Sequence, residues 1–204
     1  IIGCQVSIDM SKDDDVLRLL ARAGVSYCYT GLESPNKDVL KNTRKYQNVK
    51  IDLRGAVDKM HSYGLSVMSG LILGFDQNDR SSFREYWEFV RDTRIPTMVS
   101  YVLSAPEGTP LKARLEKEGR VVDNDFTIGE LFRSNVIPKM LTVEELTIGF
   151  KWFASKIYDD DEFVRRVSDK CAIFNSKGIH AAGVLNYNTI MRSVKKAFRF
   201  VSYF

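Results

Sequence analysis

Residues 66–76, SVMSGLILGFD, form an apolar run with two glycines four apart, and the run ends in a carboxylate. Gly64 precedes it and the polar Gln77, Asn78 and Asp79 follow it, which suits a buried parallel strand better than a helix. Side chains alternate along a strand, so Gly70, Ile72 and Gly74 are expected on one face and Leu71 and Leu73 on the other. A glycine inside a strand marks either the close approach of a ligand or backbone, or relief of crowding inside a barrel. Both readings fit the run taken alone.

The flanking sequence repeats one unit. Residues 4–8 read as a strand, Ser11 before three aspartates as a helix start, and Val16, Leu19, Leu20 and Ala23 as an apolar helix stripe stopped by Gly24. Residues 25–32 read as a second strand ending at Glu33, Ser34 and Pro35, followed by a polar segment, 36–49, with a short helix. Residues 52–63 carry Leu53, Ala56, Val57 and Met60 on one stripe before Gly64. After the central strand, Phe83, Tyr86, Trp87 and Val90 mark a third helix, and residues 97–103 a fourth strand. A βα repeat with right-handed crossovers gives an α/β fold with a parallel sheet. An eight-stranded barrel takes about 250 residues, so four such units predict about half of a TIM-type barrel.

Beyond residue 105 the texture changes. APEGTPL is a turn-rich loop, residues 111–118 a short helix, and Gly119 its stop. Thr142 and Glu145 make a capping box for a helix with Leu146, Phe150, Phe153 and Ile157 on its apolar face, and residues 161–170 and 186–204 read as helical. Two units are therefore expected: a barrel segment over 1–120 and a mostly helical C-terminal extension over 121–204.

The 204 residues are 44% hydrophobic and 27% charged, an ordinary globular composition. A net charge of +4, with basic and acidic residues dispersed, predicts no nucleic-acid partner. No long apolar span or leader is present, so a cytoplasmic setting is expected. The chain opens on Ile1 rather than Met, which predicts a trimmed start or a piece of something longer. Cys4, Cys28 and Cys171 lie far apart in sequence and show no metal spacing, so each reads as a small core residue and no metal ligand is assigned.

In parallel βα architectures the chemistry gathers at the carboxyl ends of strands, here residues 7–9, 31–34, 74–76 and 104–109. His61 and His180 lie at none of these ends, which argues against a histidine triad or zinc site; His61 reads as a helix-surface residue. No Walker or GxGxxG loop opens a helix.

Six motifs, GLESPN (31–36), Gln47-Asn48, Tyr63-Gly64, GLILGFD (70–76), APEGTPL (105–111) and EGR (118–120), follow the order of the radical S-adenosylmethionine (SAM) enzymes. They resemble most the subfamily with an N-terminal cobalamin-binding domain, and the stretch from Asn135 to Arg166 is similar to that subfamily's C-terminal extension. The resemblance implies the back half of a (βα)6 barrel plus the extension. In the family a CxxxCxxC triplet holds a 4Fe-4S cluster that binds SAM; this chain has no such triplet. The cluster and any cobalamin are thus expected on residues outside this segment, and the segment alone is expected to be inactive.

By the same resemblance, Glu33 and Ser34 lie where relatives hold the ribose or amino acid part of SAM. Gly70, Ile72 and Gly74 match the GxIxG segment along the adenine, and Asp76 and Ala105 complete the implied cofactor-binding set. Two departures stand out: Gln77 ends what is GxIxGxxE in the family, and Gln5 replaces a frequent glutamate. Glu33 also reads as a solvated or capping carboxylate and Asp76 as a capping loop acid. Gly108 and Thr109 read as turn residues, and Met68, Met98 and Tyr101 as packing. The resemblance implies radical modification, such as methylation or rearrangement, of a small-molecule substrate, with the upstream half of the same polypeptide as partner.

The alternative is a non-enzymatic interaction fragment that self-associates. The strand edge with Ile1, Ile2, Val6 and Ile8 and the basic amphipathic helix 186–204 would drive that pairing. Packing of this helix on the extension or a second copy is expected in preference to a membrane surface.

Overall fold

The computed structural model describes residues 2–122 and 133–179. Its elements in order are β1 (Ile2–Gln5), a 3-10 turn (Ile8–Lys12), α1 (Asp14–Arg22), β2 (Val25–Glu33), α2 (Lys37–Asn42), α3 (Tyr46–Val49), α4 (Leu53–Ser62), β3 (Ser66–Leu73), α5 (Ser82–Thr93), β4 (Thr97–Val102), α6 (Pro110–Lys117), α7 (Val143–Ile157) and α8 (Asp160–Ser176). The four strands form one parallel sheet in sequential order β1-β2-β3-β4. Each crossover therefore steps to the next strand in the same direction, and crossovers of one hand put their helices on one face.

Burial follows strand parity. Cys28, Thr30 and Leu32 of β2, Val67, Ser69, Leu71 and Leu73 of β3, and Met98, Ser100 and Val102 of β4 are buried on the helix side. On the opposite, open face Tyr29, Gly31, Met68, Ile72, Val99 and Tyr101 are half-buried, and Gln5 and Tyr27 exposed.

The helices obey local rules. Asp13 caps α1, Asn36 caps α2, Asp52 caps α4, and Thr142 with Glu145 closes the expected capping box on α7. The expected stripe of α4 is buried as read. α7 starts beside the strands' carboxyl ends, where Leu146 adjoins Gly74, and ends with the Tyr158 hydroxyl donating to the Met98 carbonyl (3.0 Å) near the start of β4. It thus runs back along the sheet like a crossover helix. Leu141, Leu146, Phe150, Phe153 and Ile157 share one core with β2 and β3. α8 is held by Arg166, whose guanidinium donates to the carbonyls of Ile95 (3.0 Å) and Ile157 (2.5 Å).

Several expectations are corrected. β1 occupies Ile2–Gln5, and Ile8 is 1% exposed within the 3-10 turn, so it is no part of an exposed edge. α1 buries Leu17, with Leu20 and Ala21 packed beside it, while Leu19 is 60% exposed; two overlapping i, i+3, i+4 stripes exist, and docking selected the other one. β3 stops at Leu73 because Gly74 takes φ +102. α8 runs six residues beyond the expected end at 170. His61 is fully buried: its Nε2 accepts the Val67 amide at 3.3 Å, its ring meets Phe174 edge-on, and burial lowers its pKa to about 3. Ile1, His180 and helix 186–204 lie outside the described residues.

Candidate functional site

At the carboxyl half of the sheet, Gly31 of β2 stands directly opposite Gly70 of β3. Both belong to the open face, so two adjacent strands present bare backbone side by side. A Cβ on Gly31 would lie 2.5 Å from Glu33 Oε1, and one on Gly70 would lie 2.9 Å from Tyr29 Oη. The space above each glycine of this floor is thus filled by the end of a polar side chain, the Glu33 carboxylate over Gly31 and the Tyr29 phenol over Gly70. Burial, followed by the neighbouring Tyr101 and Glu33, raises the Tyr29 pKa, keeping the phenol a proton donor. Ile72 and Tyr101 form the next cross-strand pair on the same face.

Glu33 owes its position to an irregular strand end. The β2–β3 register slips between Gly31 and Glu33, and Glu33 adopts a left-handed φ of 66°. A non-glycine residue there is strained unless its surroundings hold it. Its side chain curls back over Gly31 and pairs with Lys45 Nζ at 3.0 Å. The carboxylate is therefore an oriented acceptor facing the floor rather than a helix cap.

Three buried asparagines hold the strand ends. Asn48 donates to the carbonyls of Gly31 (3.0 Å) and Leu32 (3.1 Å); Asn78 accepts from the amides of Gly74 and Phe75 (both 3.0 Å); Asn135 bonds both the amide (2.8 Å) and the carbonyl (2.9 Å) of Ala105. Each satisfies backbone groups that the parallel ladder leaves unpaired where it ends. Gln47-Asn48 was legible as a motif; Asn78 and Asn135 sit among ordinary loop residues, and only the tertiary contacts reveal their task.

The remaining expected residues fall elsewhere. Ser34 is fully buried on the helix side, where its hydroxyl accepts from the Tyr86 hydroxyl (2.7 Å) and the Asn36 amide (3.0 Å). Its side chain anchors the loop to α5 instead of facing the floor. Gly74 lies past β3, and a Cβ there would meet Leu146 of α7 at 3.0 Å, so it does not share the face of Gly70 and Ile72. Asp76 is neither a cap nor free: it pairs with Arg120 (2.7 Å) and Arg114 (2.9 Å). Burial pushes its carboxyl up, but those two guanidiniums outweigh it and leave the pKa below the usual value. Ala105 is buried and its backbone is taken by Asn135. Thr109 caps α6 through the Lys112 amide.

Nearby, Phe75, Leu103, Ala105, Leu115 and Val136 make a second apolar cluster against which Ile72 packs, closing the carboxyl end of the sheet. An open cavity of about 360 Å³ lies at the start of α6, lined by Glu107, Thr109, Lys112 and Glu116, residues that face none of the floor. Among the described residues no three His, Cys, Asp or Glu side chains converge as a metal site, and no helix is long and apolar enough to cross a membrane. A flat ligand would reach the backbone of Gly31 and Gly70 only after the Glu33 carboxylate and the Tyr29 phenol, which lie over them, swing aside.

A family model described as a domain of unknown function, DUF4070, matches residues 109–200. Hopanoid C-2 methylase of Rhodopseudomonas palustris is 25% identical over 88% of this chain and 33% of its own length. An uncharacterized methyltransferase of Synechocystis sp. is 31% identical over 66% of this chain and 25% of its own length. Bacteriochlorophyllide d C-12(1)-methyltransferase of Chlorobaculum tepidum is 26% identical over 82% of this chain and 36% of its own length. With the six motifs, these matches relate the chain to the radical SAM enzymes of the cobalamin-binding subfamily over part of their length. It spans between a quarter and about a third of the curated relatives it matches.

Proposed function

We propose that this chain is the SAM-binding and substrate-facing part of a radical SAM methyltransferase, its sheet forming half of a (βα)6 barrel completed by upstream residues of the same polypeptide. The observation that carries the reading is the in-register Gly31–Gly70 pair on an open sheet face, over which only the movable ends of Glu33 and Tyr29 lie. Sequential parallel strands with one open face are what a barrel sector requires, the open face becoming the interior. Methyl transfer is favoured over rearrangement because all three relatives are named as methylases or methyltransferases.

In this reading the Glu33 and Tyr29 side chains swing off Gly31 and Gly70 to admit the adenine, Glu33 then accepting a hydrogen bond from a hydroxyl or ammonium of SAM and Tyr29 donating to the ligand. The iron-sulfur cluster, held elsewhere in the parent chain, supplies reductive cleavage of SAM, with cobalamin as a methyl carrier where the parent binds it. Lys45 and the register slip fix the carboxylate, Asn48 fixes the backbone behind it, and the second apolar cluster limits water at the strand ends. The substrate is a small molecule whose identity belongs to the whole enzyme.

The test uses the full-length parent, reconstituted anaerobically. Glu33→Ala, by leaving a buried partner unmatched, is expected to weaken SAM binding by about 5- to 150-fold, the span of about 1–3 kcal/mol, and Gly70→Val, by filling space beside the adenine, is expected to weaken it as well. Unchanged affinity in both variants, with the fold retained by circular dichroism, overturns the assignment.

A further inference from the structure

Cys4 and Cys28 are separated by a helix in sequence, yet they are direct partners on neighbouring strands β1 and β2. Their sulfurs lie 3.7 Å apart, and neither forms a disulfide. Strands in a sheet stand about 4.8 Å apart, which falls inside the Cα separation of about 4.4–6.8 Å that a disulfide accepts. Being in register on the same side of the sheet, the two Cβ atoms point the same way at about the strand spacing, slightly more than the ~3.5–4.5 Å a disulfide takes. Bond formation therefore requires side-chain rotation and a few tenths of an ångström of approach between the strands.

We propose that Cys4 and Cys28 form an oxidisable dithiol, which a small-molecule disulfide such as oxidised glutathione converts into an intrachain bridge between β1 and β2. The order of attack follows exposure. Cys4 is partly exposed, whereas Cys28 is wholly buried, with burial pushing its pKa up to about 12. The Cys4 sulfur attacks the small disulfide, one glutathione thiol leaves, and a mixed disulfide forms. The Cys28 thiol, 3.7 Å from the Cys4 sulfur, gives up its proton to solvent or to the leaving glutathione and attacks the Cys4 sulfur, and the second glutathione thiol leaves; the raised pKa makes this the slow step. The cysteine pair loses two electrons and two protons, and one oxidised glutathione becomes two reduced molecules.

The bridge ties β1, the edge strand of the described sheet, to the strand that carries Gly31, and it acts independently of any bound cofactor. Cys171 lies on α8 and serves as an internal control.

The experiment treats the folded protein with oxidised glutathione, quenches with acid, and maps disulfides by mass spectrometry. Wild type and Cys171→Ser are expected to lose about 2 Da, two hydrogens per bridge, with a Cys4–Cys28 peptide pair that dithiothreitol reverses. Cys4→Ser is expected to form no bridge. A glutathione adduct that persists on Cys4, three thiols that remain free, or a bridge that uses Cys171 overturns the proposal. The wild-type map alone decides the matter where the Cys4 variant does not fold.

Discussion

On the helix side of the sheet, Leu32, Val67, Leu71 and Leu73 are wholly buried, whereas on the other face their strand neighbours Tyr29, Met68, Ile72 and Tyr101 are half-exposed. Strands β2, β3 and β4 each supply residues to both faces, and only residue parity separates them. The covered face holds aliphatic side chains against α4, α5 and α7, so its contribution is burial. The open face holds aromatic rings, a methionine and the paired glycines, over which the Glu33 carboxylate and the Tyr29 phenol end. On the proposed function, stability and ligand recognition fall on opposite faces, and substitutions should separate them.

The largest expected effect is on the covered face. Leu71→Ala should cost about 2–5 kcal/mol in urea unfolding, while Met68→Ala, three residues earlier on the open face, should cost well under half of that. Equal losses would break the division between the faces.

His61 supplies a pH test of the covered side. Its folded pKa of about 3 lies below the ordinary 6.5, so the unfolded chain binds a proton that the folded chain refuses. Its stability contribution is complete above pH 6.5 and is lost as pH falls toward 3, reaching about 2 kcal/mol at pH 5. His61→Gln should flatten this dependence, and an unchanged slope in that variant would assign it to other groups.

The glycines sharpen the contrast. Gly74→Ala should destabilise by about 1 kcal/mol or more, because its φ of +102 suits glycine and the new methyl meets Leu146. Gly70→Ala should change stability by less, about 0.5 kcal/mol, since the obstructing atom is the movable end of Tyr29, yet it should weaken ligand binding in the parent enzyme. Thermal unfolding of both variants beside SAM titration checks the pair.

Much of the fold was legible because its signals are local. The α4 stripe, the Thr142–Glu145 box and the turn glycines Gly24 and Gly64 are read over a few residues, and the structure has them as expected. The candidate site was less so. Gly70 and Glu33 were recognised, but the pairing of Gly70 with Gly31 depends on register between strands some forty residues apart. Ser34 follows Glu33 directly, yet the slip at the strand end turns it into the core, toward Tyr86. Asp76 ends the central motif, but Arg114 and Arg120 claim it from a later segment.

The sequence by itself determined the alternation of strands and helices, the Thr142–Glu145 cap and the parallel class of the sheet, since periodicity and capping act within one or two turns of chain. The first helix, by contrast, starts at the Asp13 cap and not at Ser11, which lies buried in the 3-10 turn. Only the tertiary structure decided which of two α1 stripes is buried, that His61 is inside, and which residues face the glycine floor. It also brought Cys4 beside Cys28. These outcomes depend on register and docking between distant segments, where a shift of one residue reverses the face a side chain occupies.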